Sequence, residues 1–381
     1  MTWQDLDGHE LRVDRWPPDA PGGLQAWDAA DAYLLQQWRE AAPLPGARLL
    51  LVDDAWGALA VPLARAGVEA VSWGDSHLAA LALAANLRRA GLPADAVPFV
   101  PVVAPPGGPF DTALLRLPKG LDTLEDSLRR LVPALAPVAR VLAGGMIKHT
   151  PTRAWRLLEE YLGPTPTTLG WKKARVGVAT FTNPATRPPA PCPSYTVPAD
   201  RLELHGAPGV FGGGRLDGGA ALLLRHVPAT GAALAAADLG CGDGVLALAL
   251  ARRCPVATVL AVDASHRAVA CAASSLALNF PDAADRARVT LRVADGLADV
   301  VPASLDLVLC NPPFHEGHAV ADTVAGRLFA QAHAALRPGG RLVVVGNRHL
   351  GHHAKLDRLF GTHELLDGDG RFHVLGATRA G

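Results

Sequence analysis

At 381 residues the chain is long for one hydrophobic core, which favours two domains. Hydrophobic residues make up 49% of it, too many for a disordered chain, and 36 Lys and Arg balance 36 Asp and Glu. That balance removes any global field that would draw nucleic acid, so only a local basic patch could do so.

The opening MTWQDLDGHELRVDRW is too charged for a secretory signal. No uncharged apolar run of about 18 residues is present, so no membrane span is expected and the cytoplasm is the expected compartment. The stretch ARLLLVDDAWGALAVPLARAG, from Ala47, predicts a strand, a turn and a helix. SWGDSHLAALALAANL, FDTALLRLPKG and ARVLAGGM continue the alternation of strand and helix. Arg140, Lys148, Arg153, Arg156, Lys172, Lys173 and Arg175 form a locally basic segment whose acids are Glu159 and Glu160 alone. Such a segment suits phosphate contacts, although a solvated face is the plainer reading. NPATRPPAPCPSY (183–195) is Pro-rich and reads as an extended linker. The turn-rich GAPGVFGGGRLDGGA (206–220) follows, as a loop over a ligand or a simple surface loop.

From Leu234 the chain reads LAAADLGCGDGVLALALARRC. An apolar strand ends at Asp238, meets glycines at 240, 242 and 244, and continues as a helix. TVLAVDAS ends a strand at Asp263, and VTLRVADG ends another at Asp295. LDLVLCNPPFHEGH then puts Asn311, Pro312, Pro313 and Phe314 after a buried strand, where ligands bind in open α/β sheets. Prolines end a strand because they cannot donate to it. A helix from about Thr323 to Leu336, the turn RPGG and the strand RLVVVGN complete the half.

The two halves share one plan. ARLLLVDDAWGALAVPLARAG lies over LAAADLGCGDGVLALALARRC, and three later segments match in the same order. The fold expected is α/β, with two tandem Rossmann-like domains: residues 1–182, a linker over 183–205, and residues 206–381. The polar groups differ between the copies. Leu51 stands for Asp238, Asp53 and Ala55 for two of the glycines, Gly74 for Asp263, and Arg116 to Lys119 for Asn311 to Phe314. The first copy keeps the pattern and loses the ligand-holding groups, which makes it a degenerate scaffold or substrate platform.

The glycine turn brings backbone close to a ligand at a helix start. It departs from the dinucleotide pattern, since Val245 stands where a third spaced glycine is required. Asp238-x-Gly240-x-Gly242-x-Gly244 instead resembles the first motif of class I S-adenosylmethionine methyltransferases. The resemblance implies S-adenosylmethionine as cofactor, held by Asp238, Gly240, Cys241, Gly242, Asp263, Asp295 and Asn311. It implies that Asp238 lies near the cofactor's amino-acid part, Asp263 on its ribose and Asp295 on its adenine. Asn-Pro-Pro-Phe resembles the signature of methyltransferases that act on exocyclic or amide nitrogens. There Asn311 and the Pro312 carbonyl would accept both N–H bonds of the target, Pro313 would stiffen the loop, and Phe314 would stack on the base.

The whole chain resembles the bacterial ribosomal RNA guanine-N2 methyltransferases, in which a degenerate amino-terminal copy precedes an active one. GNRHLGHHAKLDRLFG, GRFHVLGA, GMIKHTPTRAWRLLEEYLGPT and WKKARVGVATF point to the branch acting on 23S rRNA, with the 16S branch as its relative. Ribosomal RNA is the implied partner; no membrane partner is expected, and a monomer is assumed. Two other readings remain open: a DNA-adenine or protein-glutamine methyltransferase, and a non-catalytic RNA-binding protein on the same fold. Metal is not expected, because His315-Glu316-Gly317-His318 lacks a helical H-E-x-x-H pattern and a cysteine partner. His349, His352 and His353 read equally as RNA contacts or as a solvated helix start. The five cysteines show no C-x-x-C pair and read as reduced thiols.

Overall fold

The computed structural model describes residues 3–18, 24–41, 46–182, 192–313 and 318–381, with side chains from 322 in the last segment. Phe314, His315, Glu316 and the linker residues 183–191 lie outside the described residues. The chain divides into two compact units, Met1–Pro191 and Cys192–Gly381.

In the first unit a short ribbon of β1 (Trp3–Gln4) and β2 (Glu10–Leu11) precedes α1 (Ala29–Glu40). Asp28 caps α1 and exchanges hydrogen bonds with Asp31 in a capping box. The sheet uses β3 (Leu49–Val52), β4 (Ala70–Gly74), β5 (Phe99–Pro101), β6 (Phe110–Arg116), β7 (Leu135–Met146) and β8 (Ala174–Thr180). Its order is β5-β4-β3-β6-β7-β8, parallel except for β8. Helices α2 (Ala60–Arg65), α3 (His77–Arg89), α4 (Leu121–Leu131) and α5 (Thr152–Leu162) complete it. Leu49 to Val52 are all buried, as expected of a central parallel strand covered on both faces.

The second unit begins with a hairpin of β9 (Ser194–Val197) and β10 (Leu202–His205), then α6 (Gly218–Leu224). The expected linker over 183–205 is therefore too long at its carboxyl end. Val197, Leu202 and Leu204 bury their side chains in the second unit's core, which fixes the hairpin there. Next come β11 (Ala235–Leu239), α7 (Val245–Arg253), β12 (Thr258–Asp263), α8 (His266–Asn279), α9 (Ala283–Ala287), β13 (Val289–Val293) and β14 (Leu305–Cys310). The chain ends with α10 (His318–Ala335), β15 (Leu336–Asn347), α11 (His352–Phe360), β16 (Glu364–Gly368) and β17 (Phe372–Thr378). The order is β13-β12-β11-β14-β15-β17-β16, with β17 antiparallel to β15. Strand for strand this repeats the first sheet, with β16 added at the edge.

The repeat extends to local geometry. Ser76 caps α3 by accepting from Ala79 N, and Ser265 caps α8 by accepting from Ala268 N. Gly57 and Gly244, paired by the internal alignment, have φ of 79° and 89°. A Cβ on Gly244 would lie 3.0 Å from Ala272 Cβ, so glycine there lets α8 approach the turn.

Candidate active site

The carboxyl ends of β11, β12, β13 and β14 carry Asp238, Asp263, Asp295 and Asn311 in or just beyond the strands. Adjacent parallel strands put these ends on one rim of the sheet, which is how residues far apart in sequence come together.

Gly240, Gly242 and Gly244 all have positive φ, at 80°, 54° and 89°. The backbone N–H groups of Gly240 and Cys241 both donate to Val262 O, at 2.8 and 3.0 Å, so the turn is pinned to β12. Asp263 braces the same turn. Its Oδ2 accepts from Gly242 N at 3.0 Å and its Oδ1 from Ser265 N at 2.9 Å. A carboxylate offers about four acceptor positions, so these two bonds do not exhaust it.

Asp238 is fully buried, and its Oδ2 accepts from Ala247 N in the first turn of α7 at 2.9 Å. Its Oδ1 has no hydrogen-bond partner among the described residues. Burial drives the carboxyl up to about 7, against the bond from Ala247, with the charges of Asp263 and Asp243 adding to the rise. Asp295 is half-buried and ion-paired with Arg327 of α10. Cys241 is buried, and its thiol is pushed well above its ordinary range, by burial first and then by neighbouring carboxylates. Burial and the raised pKa both disfavour the thiolate that a nucleophilic role would need.

Asn311 follows β14, with Pro312 buried and Pro313 exposed. Its Oδ1 is buried and has no partner among the described residues. Gly219 of α6 lies beside it, where a Cβ would be 3.5 Å from that oxygen. Two prolines hold the loop that carries this unpaired acceptor.

Sequence reasoning missed Asp243 and Tyr195. The Tyr195 hydroxyl, on β9, donates to Asp243 Oδ2 at 2.6 Å, while Asp243 Oδ1 accepts from Val245 N at 3.3 Å. Asp243 therefore braces the glycine turn from the hairpin side, and burial raises its carboxyl to about 6. No local pattern announces a contact between residues so far apart in the chain. Asp217 was also missed, although D-G-G-A is a legible cap: its Oδ2 accepts from Gly219 N and Ala220 N.

The first unit fills the matching places with bonds of its own. Arg116, aligned with Asn311, pairs with Asp28 at 3.0 Å and Asp31 at 2.8 Å. Gly74, aligned with Asp263, faces the Asp53 carboxylate and the Phe99 ring, 3.5 and 3.7 Å from where its Cβ would be. The histidines separate in the same plain way. His352 is buried, 5.3 Å from Phe329 and edge-on to it, and burial followed by Lys355 brings it down to about 4. His349 and His353 are exposed. Among the described residues all five cysteines are free thiols, and no helix is long and apolar enough to cross a membrane.

These observations can be set beside known proteins. A family model described as RLMG N-terminal domain matches residues 1–183, and one described as Methyltransferase small domain matches 201–376. Ribosomal RNA large subunit methyltransferase G of Pseudomonas putida is 47% identical over 97% of this chain and 98% of its own length. The Stutzerimonas stutzeri protein of that name is 46% identical over 100% of both chains. The solved Thermus thermophilus 16S rRNA N2 G1207 methyltransferase, in complex with AdoMet and guanosine, superposes with a TM-score of 0.77. It is 24% identical and the match covers 98% of this chain and 96% of that one, a likeness that carries the fold. The fold, the motifs and the full-length relatives agree, and the chain belongs to the ribosomal RNA large subunit methyltransferase G family.

Proposed function

We propose that the second unit is an S-adenosylmethionine-dependent methyltransferase acting on the exocyclic N2 of a guanine in large-subunit ribosomal RNA. The observation that carries the chemistry is Asn311 Oδ1, a buried acceptor with no partner among the described residues, followed directly by two prolines. An exocyclic amine offers two N–H donors and a delocalised lone pair. Accepting those donors at Asn311 Oδ1 and the Pro312 carbonyl draws the lone pair toward the incoming methyl. The nitrogen forms its bond to carbon as the bond from carbon to sulfur breaks, and the methylated nitrogen then gives its extra proton to water. No strong base is required for that step.

The residues at the sheet rim fit the cofactor. Asp238 Oδ1, a buried acceptor with no partner among the described residues, suits an ammonium group, and the Asp263 carboxylate suits a ribose diol. The glycine turn lets the backbone come close at the start of α7. S-adenosylmethionine supplies an electrophilic methyl group on a sulfonium. Asp295 would share its carboxylate between Arg327 and the adenine amine. Phe314 would stack on the target base.

The first unit is proposed as the RNA platform, through the basic segment that ends at Lys172, Lys173 and Arg175. The reading implies the cytoplasm, where ribosomal RNA is made and assembled in bacteria. Mapping modifications in RNA from cells lacking this protein tests it. One N2-methylguanosine should vanish from the large-subunit RNA while the small-subunit RNA is unchanged. Retention of every such methyl group, or a loss confined to the small subunit, would refute it.

A further inference from the structure

The first unit contains a cavity of about 700 Å³ that the methyl-transfer chemistry does not use. Trp3, Trp27 and Trp171 line it, with Arg39, Glu40 and Lys172 among its polar groups. The Trp3 and Trp27 rings lie 4.6 Å apart with an interplanar angle of 32°. Trp171 sits 5.5 Å from the Tyr33 ring, and Lys172 Nζ lies 4.3 Å from the Trp171 centroid. Trp27 and Trp171 are half-buried, so each keeps some ring surface exposed.

Three further observations bear on what the cavity takes. First, Trp3 is 5% exposed, and its indole Nε1 has no hydrogen-bond partner among the described residues. A buried N–H without an acceptor is uncommon in a folded protein, and here it belongs to a residue lining a cavity. Second, the Asp5 carboxylate is met by Arg65 at 3.3 Å and accepts from the backbone of Asp7 and His9. Glu40 accepts from Gln36 Nε2 at 2.8 Å, and Arg39 and Lys172 are exposed cations at the same edge. Third, Lys172 and Lys173 have φ of 46° and 67° in a two-residue turn closed by hydrogen bonds between Trp171 and Ala174. Such a turn favours glycine and asparagine, and here it holds two lysines beside an indole.

Flat aromatic surface next to cationic side chains suits a nucleotide: the base stacks, and the cations meet its phosphate. We propose that this cavity is a second RNA subsite, which takes one unpaired base of the substrate against Trp171 and Trp27 with its phosphate at Lys172 and Arg39. The proposal rests on the RNA-methyltransferase reading and deepens it by giving the first unit a stacking contact as well as a charge contact.

The test uses the full chain and a short single-stranded oligoribonucleotide, with affinity measured across a salt series. Trp171→Ala should weaken binding by about 5- to 100-fold, the range expected for loss of one stacked base. Its salt dependence should match that of the wild type, because no charge is removed. Trp171→Phe should restore most of the affinity, whereas Trp171→Leu, apolar but not flat, should not. The same variant series keeps the test valid if the alanine variant folds poorly. An abasic oligonucleotide should bind the wild-type chain as weakly as the intact one binds Trp171→Ala. Unchanged affinity in folded Trp171→Leu, or equal binding of fully duplex RNA, overturns the subsite. If Lys172, Lys173 and Arg175 matter and Trp171 does not, the platform stands and the subsite falls. If the wild-type chain binds no RNA, both fall.

Discussion

The Tyr195 hydroxyl reaches Asp243 Oδ2 at 2.6 Å and ties the entrance hairpin of the second unit to its glycine turn. Asp243 is buried, so removing its donor leaves a carboxyl oxygen without compensation. Tyr195→Phe should cost about 1–2 kcal/mol in denaturant unfolding of the second unit, the usual loss for a buried bond of this kind. Its cofactor affinity should also fall, since the turn loses a brace. An unchanged unfolding midpoint and affinity would remove Asp243 from the account of the site.

Asp238 gives a pH-dependent test. Its folded carboxyl is raised from 3.8 to about 7, so the folded chain holds a proton that the unfolded chain has lost across this range. Its contribution is therefore full below about pH 4 and is lost as pH rises through about 7. Asp54, also raised to about 7, and Asp243 act in the same sense, while His352, lowered to about 4, acts in the opposite one. Asp238→Asn isolates one group. Relative to that variant, the cofactor-free wild type should lose stability with rising pH, by at most about 1.4 kcal/mol per pH unit. A difference that is constant from pH 4 to 7 would contradict the burial of an uncompensated carboxyl.

Asp263 braces Gly242 and is proposed to hold the ribose. Asp263→Ala should weaken S-adenosylmethionine binding about 10- to 100-fold, as expected for lost hydrogen bonds to a charged acceptor. Titration of the wild-type chain should give one cofactor per chain. Two comparable sites would sink the degeneracy of the first unit.

The duplication was legible because its signals are local. Ser76 and Ser265 cap their helices in matching places, and Gly57 and Gly244 need the same left-handed backbone. The three glycines of the second unit and the strand-end carboxylates were readable for the same reason. What was not readable depends on packing between distant segments. Prolines beside Ser194 suggested a linker, but Val197, Leu202 and Leu204 find a core that only the tertiary fold supplies. Leu51 in place of Asp238 read as loss of a ligand-holding group. In the fold Asp54, three residues on from Leu51, accepts from Leu59 N and Ala60 N at 3.1 and 2.8 Å at the start of the matching helix. His352 reads as a polar helix start, yet it turns inward against Phe329.

The charge of the proposed platform can be removed separately from its rings. Lys172 and Lys173 are exposed in the tight turn before β8, and Arg175 is half-buried within it. Neutralising all three should weaken RNA binding and reduce the salt slope by about 2–3, at roughly 0.7–0.9 per phosphate contact. Cofactor affinity should not change. An unaltered salt slope in the folded triple variant would place the phosphate contacts elsewhere.

The central claim is that Asn311 acts on the target amine and not on the cofactor. Its buried Oδ1 has no partner among the described residues, and Pro312 and Pro313 follow it directly. The most direct measurement is single-turnover methyl transfer by Asn311→Ala to unmodified large-subunit RNA, paired with the cofactor dissociation constant of the same variant. The account predicts a rate lower by about two to three orders of magnitude, as for loss of one preorganised acceptor, with cofactor affinity changed little. A normal rate, or a loss of cofactor binding that accounts for the whole effect, would contradict it.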